Sequence, residues 1–561
     1  MSPEGLQVLG TYKNTGGRIG LLLTALALAA GACEGPPARS KPWRHAGEPR
    51  AGRASAIAPA LAGERGRLRA MAAAADTLTV WLDGDVRTLD PRAAPTVWTM
   101  RIVQDTVFES LVRYRAGENE SQPGGYEPRL ARSWRVSGAG RELELELQPD
   151  VRFHDGRPLG PADVVRSIDA ARRSRERAID LSDVAGVDVA GPRAVRVRLA
   201  RASSYALRAL AEVPIMPAQA ARAAPGAEPA IVGTGPYRLR AWRDGTVELE
   251  RFAGYWGDKP AVANIVFRYE PDAAAALRKA RSGEIDVIPA LIREHHPEQG
   301  RVAAAAGLAP LLLRPPTVRY LALNVRRPPL DDARVRCALT RQLDRPALVA
   351  ASKGLARAVG GVIWPGGPGD GPAMETPPHD PAGAGALLDE AGWTDLDRDG
   401  LRARGNQRLM LTVLVTDQPD EQRDRVLDQL RAAGVVLDLR VGTTAVLDNR
   451  LRDGKFDAAF VEWRAVPGED LWSVYGTGGA RNFGGFSDRR VDAVLARLRA
   501  SWDPAVRWGA MRELGALLAE TCPVAPLVAP DPHGLVSQRV RGADVRGGWL
   551  SVRDARLVGG R

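Results

Sequence analysis

The sequence predicts an α/β protein built as two lobes. ELELELQP, Glu142 to Pro149, alternates strictly between charged and apolar residues, the signature of a strand with one wet face. Strand-like runs alternate with helical ones, as where Ala273 to Ser282 precedes IDVIPAL. Past residue 315 the same strand–helix–strand pattern restarts. With 561 residues, 45% of them hydrophobic, the chain is long enough for more than one core.

In chain order, Ile19 to Ala30 is a short run of apolar and small residues, well below the roughly twenty a membrane span requires. Lys13 and Arg18 precede it, and Ala30-Gly31-Ala32-Cys33 follows. This is the charged, apolar and small-residue order of a secretory signal. Its cysteine resembles that of the bacterial lipobox, where it is lipidated and becomes the first mature residue. Residues 1–32 are therefore expected to be a lipoprotein signal peptide, with Cys33 lipidated. Residues 33–76, rich in Pro, Ala and Arg with Trp43 as the one aromatic, read as a disordered tether.

The ordered body is expected from Thr77, where TLTVWLDG reads as a strand. AVRVRLA, TVELERF and NIVFRYE are further alternating strands. In the second half LMLTVLVT reads as a strand and Glu421 to Ala433 as a helix with Val426, Leu427 and Leu430 on one face. Gly434 stops that helix, VVLDLRVG is the next strand, and helices follow at 491–499 and 504–519. Cys337 and Cys522 sit in apolar settings, which leaves open both a disulfide and two buried thiols.

The net charge of +11 comes from arginines spread among nearly as many acids, so a solvated surface is expected and no nucleic-acid partner. No HExxH, GxSxG or GxxxxGK[ST] occurs. GTGPYR, 233–238, reads as a tight turn. DLDRDG, 395–400, resembles the start of a calcium loop, but Asn406 stands where the closing acid belongs, so a solvated turn is expected. His295 and His296 are adjacent and lack further ligands, so no metal and no cofactor is expected. Nothing in these patterns argues for an enzyme.

Eight segments, in order, resemble the family 5 solute-binding proteins of bacterial ABC importers, the dipeptide-, oligopeptide- and nickel-binding type. They are EPRLARSW, VRFHDGRPLGPADVVRSI, GTGPYRLRAW, GYWGDKPAVANIVFRY, SGEIDVIP, YLALNVRRPPLDDARVRCALTRQLDR, DPAGAGALLDEAGW and NFGGFSDRRVDAVL. The resemblance implies a type II periplasmic-binding fold, with mixed sheets flanked by helices and a ligand cleft between the lobes. Lobe 1 is expected over 77–314, completed by 515–561, and lobe 2 over 315–514. It implies capture of a peptide or other small solute by a monomer held to the membrane by its lipid anchor, with delivery to ABC permease subunits. His154, Asn324 and Asp344 are expected to hold the framework.

In peptide binders of this kind a tryptophan contacts ligand, and an aspartate three residues later pairs with the free amine. FDAAFVEWRAVPGEDLW, 456–472, supplies Trp463 but has Val466 at the aspartate's position. An unpaired buried ammonium costs several kcal/mol, so either Glu469 or Asp470 substitutes or the ligand lacks a free amine. Trp98, Tyr320, Asn482 and Arg464 are the other expected ligand contacts, and Trp364 in GGVIWPGGPGDG is a candidate cover. Two other readings stay open: a sensing or partner-binding lipoprotein that has lost transport, and an extracytoplasmic hydrolase on the same scaffold.

Overall fold

The computed structural model describes residues 76–558, apart from 94–96, 116–124, 175–178, 223–230, 293–306, 314–316, 354, 362–375, 395–398, 465–469 and 547–548. The expected leader and tether up to residue 75, Cys33, His295, His296, Trp364, Val466 and Glu469 lie outside the described residues, as does the start of DLDRDG. The chain divides at Glu64–Arg65, and every described residue belongs to the second unit.

The first lobe is built on a seven-stranded mixed sheet, in the order 308–312, 533–537, 287–292, 77–82, 264–269, 246–251, 237–243. Thr77–Leu82 runs parallel to Asn264–Tyr269 and buries Leu78, Val80 and Leu82. A four-stranded antiparallel sheet, in the order 131–137, 142–147, 194–199, 184–191, carries a core of its own. Its central strand is the alternating one: Leu143, Leu145 and Leu147 are buried while the glutamates between them face outward. Helix Pro161–Arg173 covers that sheet through Val164 and Ile168.

The second lobe is a six-stranded sheet, in the order 356–358, 524–530, 317–323, 458–464, 410–416, 436–442, clad on both faces. The period of two along Thr317–Leu323 divides its side chains between two cores. Leu321 and Leu323 pack with helices Ala333–Gln342, Pro381–Glu390 and Glu421–Ala432. Val318, Tyr320 and Ala322 pack with helices Arg489–Ala500 and Pro504–Thr521. Aspartates start these helices: Asp332, Asp380, Asp420, Asp488 and Asp503 each accept a first-turn amide. Asp344 does the same for Arg345–Ala351, and Asn324 Nδ2 donates to the carbonyls of Gly454 and Phe456.

The chain passes from the first lobe to the second between Leu313 and Thr317. It returns later than the expected residue 515. Helix Pro504–Thr521 and strand Val524–Pro530 both belong to the second lobe, because Val524–Pro530 pairs with Thr317–Leu323. The return is at Asp531–Pro532, ahead of His533–Ser537 in the first sheet. Leu313, just ahead of the first crossing, lies beside the second, its N–H donating to Pro532 O at 3.0 Å. Two chain connections between two lobes are the connectivity of a hinge.

Cys337 and Cys522 form a disulfide, Cα atoms 5.3 Å apart, so the open alternative resolves to pairing. It joins helix Ala333–Gln342 to the end of Pro504–Thr521. Beside it the buried Arg336 donates to the carbonyls of Thr521 and Cys522, where the helix leaves carbonyls without partners.

The GTG turn packs directly on the first lobe's backbone. A Cβ on Gly233 would lie 1.9 Å from the Val107 carbonyl oxygen, and one on Gly235 2.1 Å from that of Thr106. His154 braces this turn: Nδ1 accepts from Gly233 N at 3.3 Å, and Nε2 faces Gly235 O at 3.0 Å. Burial pushes its pKa down to about 4, opposed by the Gly235 bond. A folded-state value below the unfolded 6.5 means stability present at neutral pH is lost as pH falls from 6.5 toward 4. We expect wild type to lose about 2–3 kcal/mol more than His154→Gln over that window. Urea midpoints at pH 7 and 4.5 test it, and parallel losses in the two proteins would refute it.

Candidate functional site

The site grows from two antiparallel strands beside the crossing. In Thr317–Leu323 and Ala458–Arg464, Val318 lies opposite Trp463 and Tyr320 opposite Val461. Trp463 and Tyr320 therefore share one face, one step apart along it. Both are buried, at 5% and 2% exposed. Trp463 Nε1 has no hydrogen-bond partner among the described residues although it is shielded from solvent. Buried indole N–H groups usually find an acceptor, so this donor is notable.

The loop after helix Trp472–Tyr475 closes over that face. Asn482 holds its shape: Nδ2 donates to Gly476 O at 2.9 Å and Phe486 O at 2.6 Å, and Oδ1 accepts from Phe486 N at 2.9 Å. Its polar capacity is thus largely used within the loop. The loop presents Arg481, whose Cζ lies 5.8 Å from the Trp463 ring centroid. Arg481, Asn482, Phe483 and Phe486 line a pocket with Tyr320 and Val524. Burial raises the Tyr320 hydroxyl pKa, and the Arg481 charge opposes that rise.

Asp470, an expected substitute for the missing aspartate, is already engaged. Oδ1 accepts from Trp472 N at 2.9 Å, and Oδ2 takes the Arg499 guanidinium, with Nε at 2.6 Å. Arg464 ends its strand opposite Thr317, and its side chain lies outside what the structure describes. Trp98 belongs to the first lobe's core, in helix Val97–Val103, with its indole against Gly84 and Arg101 Cζ 4.1 Å from its ring centroid. The structure therefore brings Trp463 and Tyr320 to one strand face, and Tyr320 and Asn482 to one pocket. Trp98 stands apart from them, in the core of the other lobe. Arg481 was not among the expected residues; in GGARNFGG it reads as one more loop arginine.

The lobes also meet away from the crossing. Arg499 O accepts from Ser204 N at 2.9 Å, and Arg507 Nη1 donates to Ser204 Oγ at 2.6 Å. Arg507 Cζ lies 5.1 Å from the Tyr205 ring centroid. Ser204 and Tyr205 follow the four-stranded sheet of the first lobe. Among the described residues no group of three or more His, Cys, Asp or Glu is placed to hold a metal ion, and no helix is long and apolar enough to cross a membrane.

Two α/β lobes, a paired crossing and a pocket between strand faces and a loop define a type II periplasmic-binding protein. The family model of bacterial extracellular solute-binding proteins, family 5 Middle, matches residues 125–485. The chain is 30% identical over 422 residues to Protein XP55 of Streptomyces lividans, covering 69% of this chain and 73% of that one. It is 26% identical over 517 residues to the probable di/tripeptide-binding protein 5 of Pseudomonas aeruginosa, covering 85% and 95%. NikA from Brucella suis, solved with Fe(III)-EDTA, superposes with a TM-score of 0.73 at 24% identity, over 86% of this chain and 100% of that one. The chain belongs to the bacterial extracellular solute-binding proteins, family 5. It is the substrate-binding component of an ABC importer, in a family whose members bind solutes rather than transform them.

Proposed function

We propose that the chain is held at a membrane through a lipidated Cys33, captures a small solute between its lobes as a monomer, and hands it to a permease. The observation that carries this is the Trp463–Tyr320 face beside the double crossing, where a ligand touching both lobes would favour their closed arrangement. Trp463 and Tyr320 are proposed to contact the solute, as is Trp98 from the other lobe on closure. Asn482 holds the loop that completes the pocket. A disulfide fits a location outside the cytoplasm.

The test is mass spectrometry of small molecules released from the full chain after gentle extraction from its host envelope, followed by scattering with the released solute. Transport predicts an unchanged solute, a smaller radius of gyration on rebinding, and uptake that fails when the protein is removed. Normal uptake without the protein would favour the sensing reading. A released solute that is chemically altered on incubation would favour the hydrolase.

A further inference from the structure

Leu355 and Ala356 are neighbours in the chain but belong to the cores of different lobes. Leu348, in helix Arg345–Ala351, and Ala356, in strand Ala356–Ala358, pack in the second lobe's core. Leu355 lies between them and is buried, at 7% exposed, yet it packs in a cluster that includes Trp81, Ile285, Ile288, Leu308 and Leu535, all of the first lobe. In the turn that delivers it, Lys353 takes a left-handed conformation at φ 53°, which residues with a side chain rarely adopt. The backbone is tied here as well. Leu355 O accepts from Asp531 N at 2.7 Å, at the return crossing, and Arg357 pairs with the Asp531 carboxylate. The next residue, Pro532, accepts from Leu313 N just ahead of the first crossing. Three segments that link the lobes therefore meet at Asp531–Pro532.

We infer that Leu355 is the pivot of the hinge: a plug from the second lobe, seated in the first, about which the lobes turn without sliding. Apolar contact has no preferred direction, so the plug can rotate in its seat. Withdrawing it would expose the side chain and leave a cavity in a close-packed core. Rotation keeps Leu355 buried and sliding does not. The bonds at Asp531 and Pro532 hold both covalent crossings to the same axis. A fixed axis also leaves the open protein few lobe arrangements to lose on closure, which lowers the ordering cost of binding. The inference deepens the closing-lobe reading above and rests on it.

The test uses the full chain without solute. Spin labels are carried by azide-bearing residues at positions 242 and 446, so that the native cysteines take no part. Both positions are exposed, one on the edge strand of the seven-stranded sheet and one on helix Thr444–Arg452 of the second lobe. Double electron–electron resonance reads the distribution of the distance between the lobes. Leu355→Ala is expected to widen that distribution about twofold. Exchange of the Leu313 and Asp531 amides is expected to quicken about tenfold or more. Ile285→Ala truncates the same core within the first lobe. It is expected to lower the melting temperature by a similar amount and to leave the distribution as it is in wild type. That contrast separates a pivot from ordinary core packing. Leu355→Met keeps the volume of the plug and should keep the wild-type width. If Leu355→Ala does not fold, Leu355→Val against Ile285→Val carries the same contrast. An unchanged distribution in the Leu355 variant, or equal widening in the Ile285 variant, would overturn the inference. Failure of the importer reading looks different: the distribution widens as expected, yet the solute released from the protein brings no compaction.

Discussion

Replacing Cys337 and Cys522 together by serine is expected to lower stability by about 3–5 kcal/mol, among the largest effects of any change outside the cores. The two cysteines are 185 residues apart, so their bond closes a long loop in the unfolded chain. Loop-closure entropy grows slowly with length, and a loop of this size sits near the upper end of the range. The bond also has a local consequence. Cys522 adopts a left-handed conformation at φ 44° where helix Pro504–Thr521 ends, and Val524 on the next strand lines the pocket. Loss of the bond is therefore expected to loosen the wall of that pocket as well as the fold. Urea denaturation of the double variant should coincide with that of reduced wild type. A difference from oxidised wild type below about 0.5 kcal/mol would show that the helix contacts and Arg336 suffice without it.

How much of this was legible in the sequence depends on what each feature needs. Glu142 to Leu147 announces itself because a half-buried strand must alternate, and the structure buries its leucines as the pattern requires. Glu421–Ala432 was readable for the same reason at helical period, with Val426, Leu427 and Leu430 buried. The lobe boundary was not. VAPLVAP is an apolar run that suits either sheet, and only its pairing with Thr317–Leu323 assigns it to the second lobe. The disulfide depends on two helices meeting, which no local pattern encodes. At the site, Trp463 was marked by its strand and Tyr320 by a quoted segment, but the place of Arg481 in the pocket wall depends on a loop folded by Asn482. Asp470 was chosen as a free carboxylate because it is near Trp463 in sequence. Its partner Arg499 is on another element, and a sequence crowded with arginines does not single it out.

That Asp470–Arg499 pair supports the second large effect: Arg499→Ala is expected to loosen the end of the ligand segment and the lobe contact together. The side chains are 18% and 15% exposed, so the pair is shielded enough to exceed an ordinary surface ion pair. Its removal leaves a half-buried carboxylate and costs about 1.5–3 kcal/mol locally. Arg499 acts in two directions. Its guanidinium fixes Asp470 and lies 5.2 Å from the Trp472 ring centroid, at the entrance to the loop that carries Arg481. Its carbonyl receives Ser204 N from the other lobe. The alanine variant keeps the carbonyl but frees the residue that positions it, so the two sites should respond unequally. Hydrogen exchange is expected to quicken about ten- to a hundredfold across 470–476 and several-fold across 203–209, because local opening follows the free energy of the lost contacts. Arg499→Lys should fall between, since it keeps the charge but not the forked geometry. Faster exchange at 470–476 with no change at 203–209 would separate the two, and the lobe contact would then be held by other groups, Arg507 with Ser204 and Tyr205 among them. If both respond, the residues next to the ligand segment are mechanically continuous with the surface on which the lobes meet. Occupancy of the pocket and closure of the lobes then draw on the same contacts, as a binding protein that signals its loaded state by shape requires.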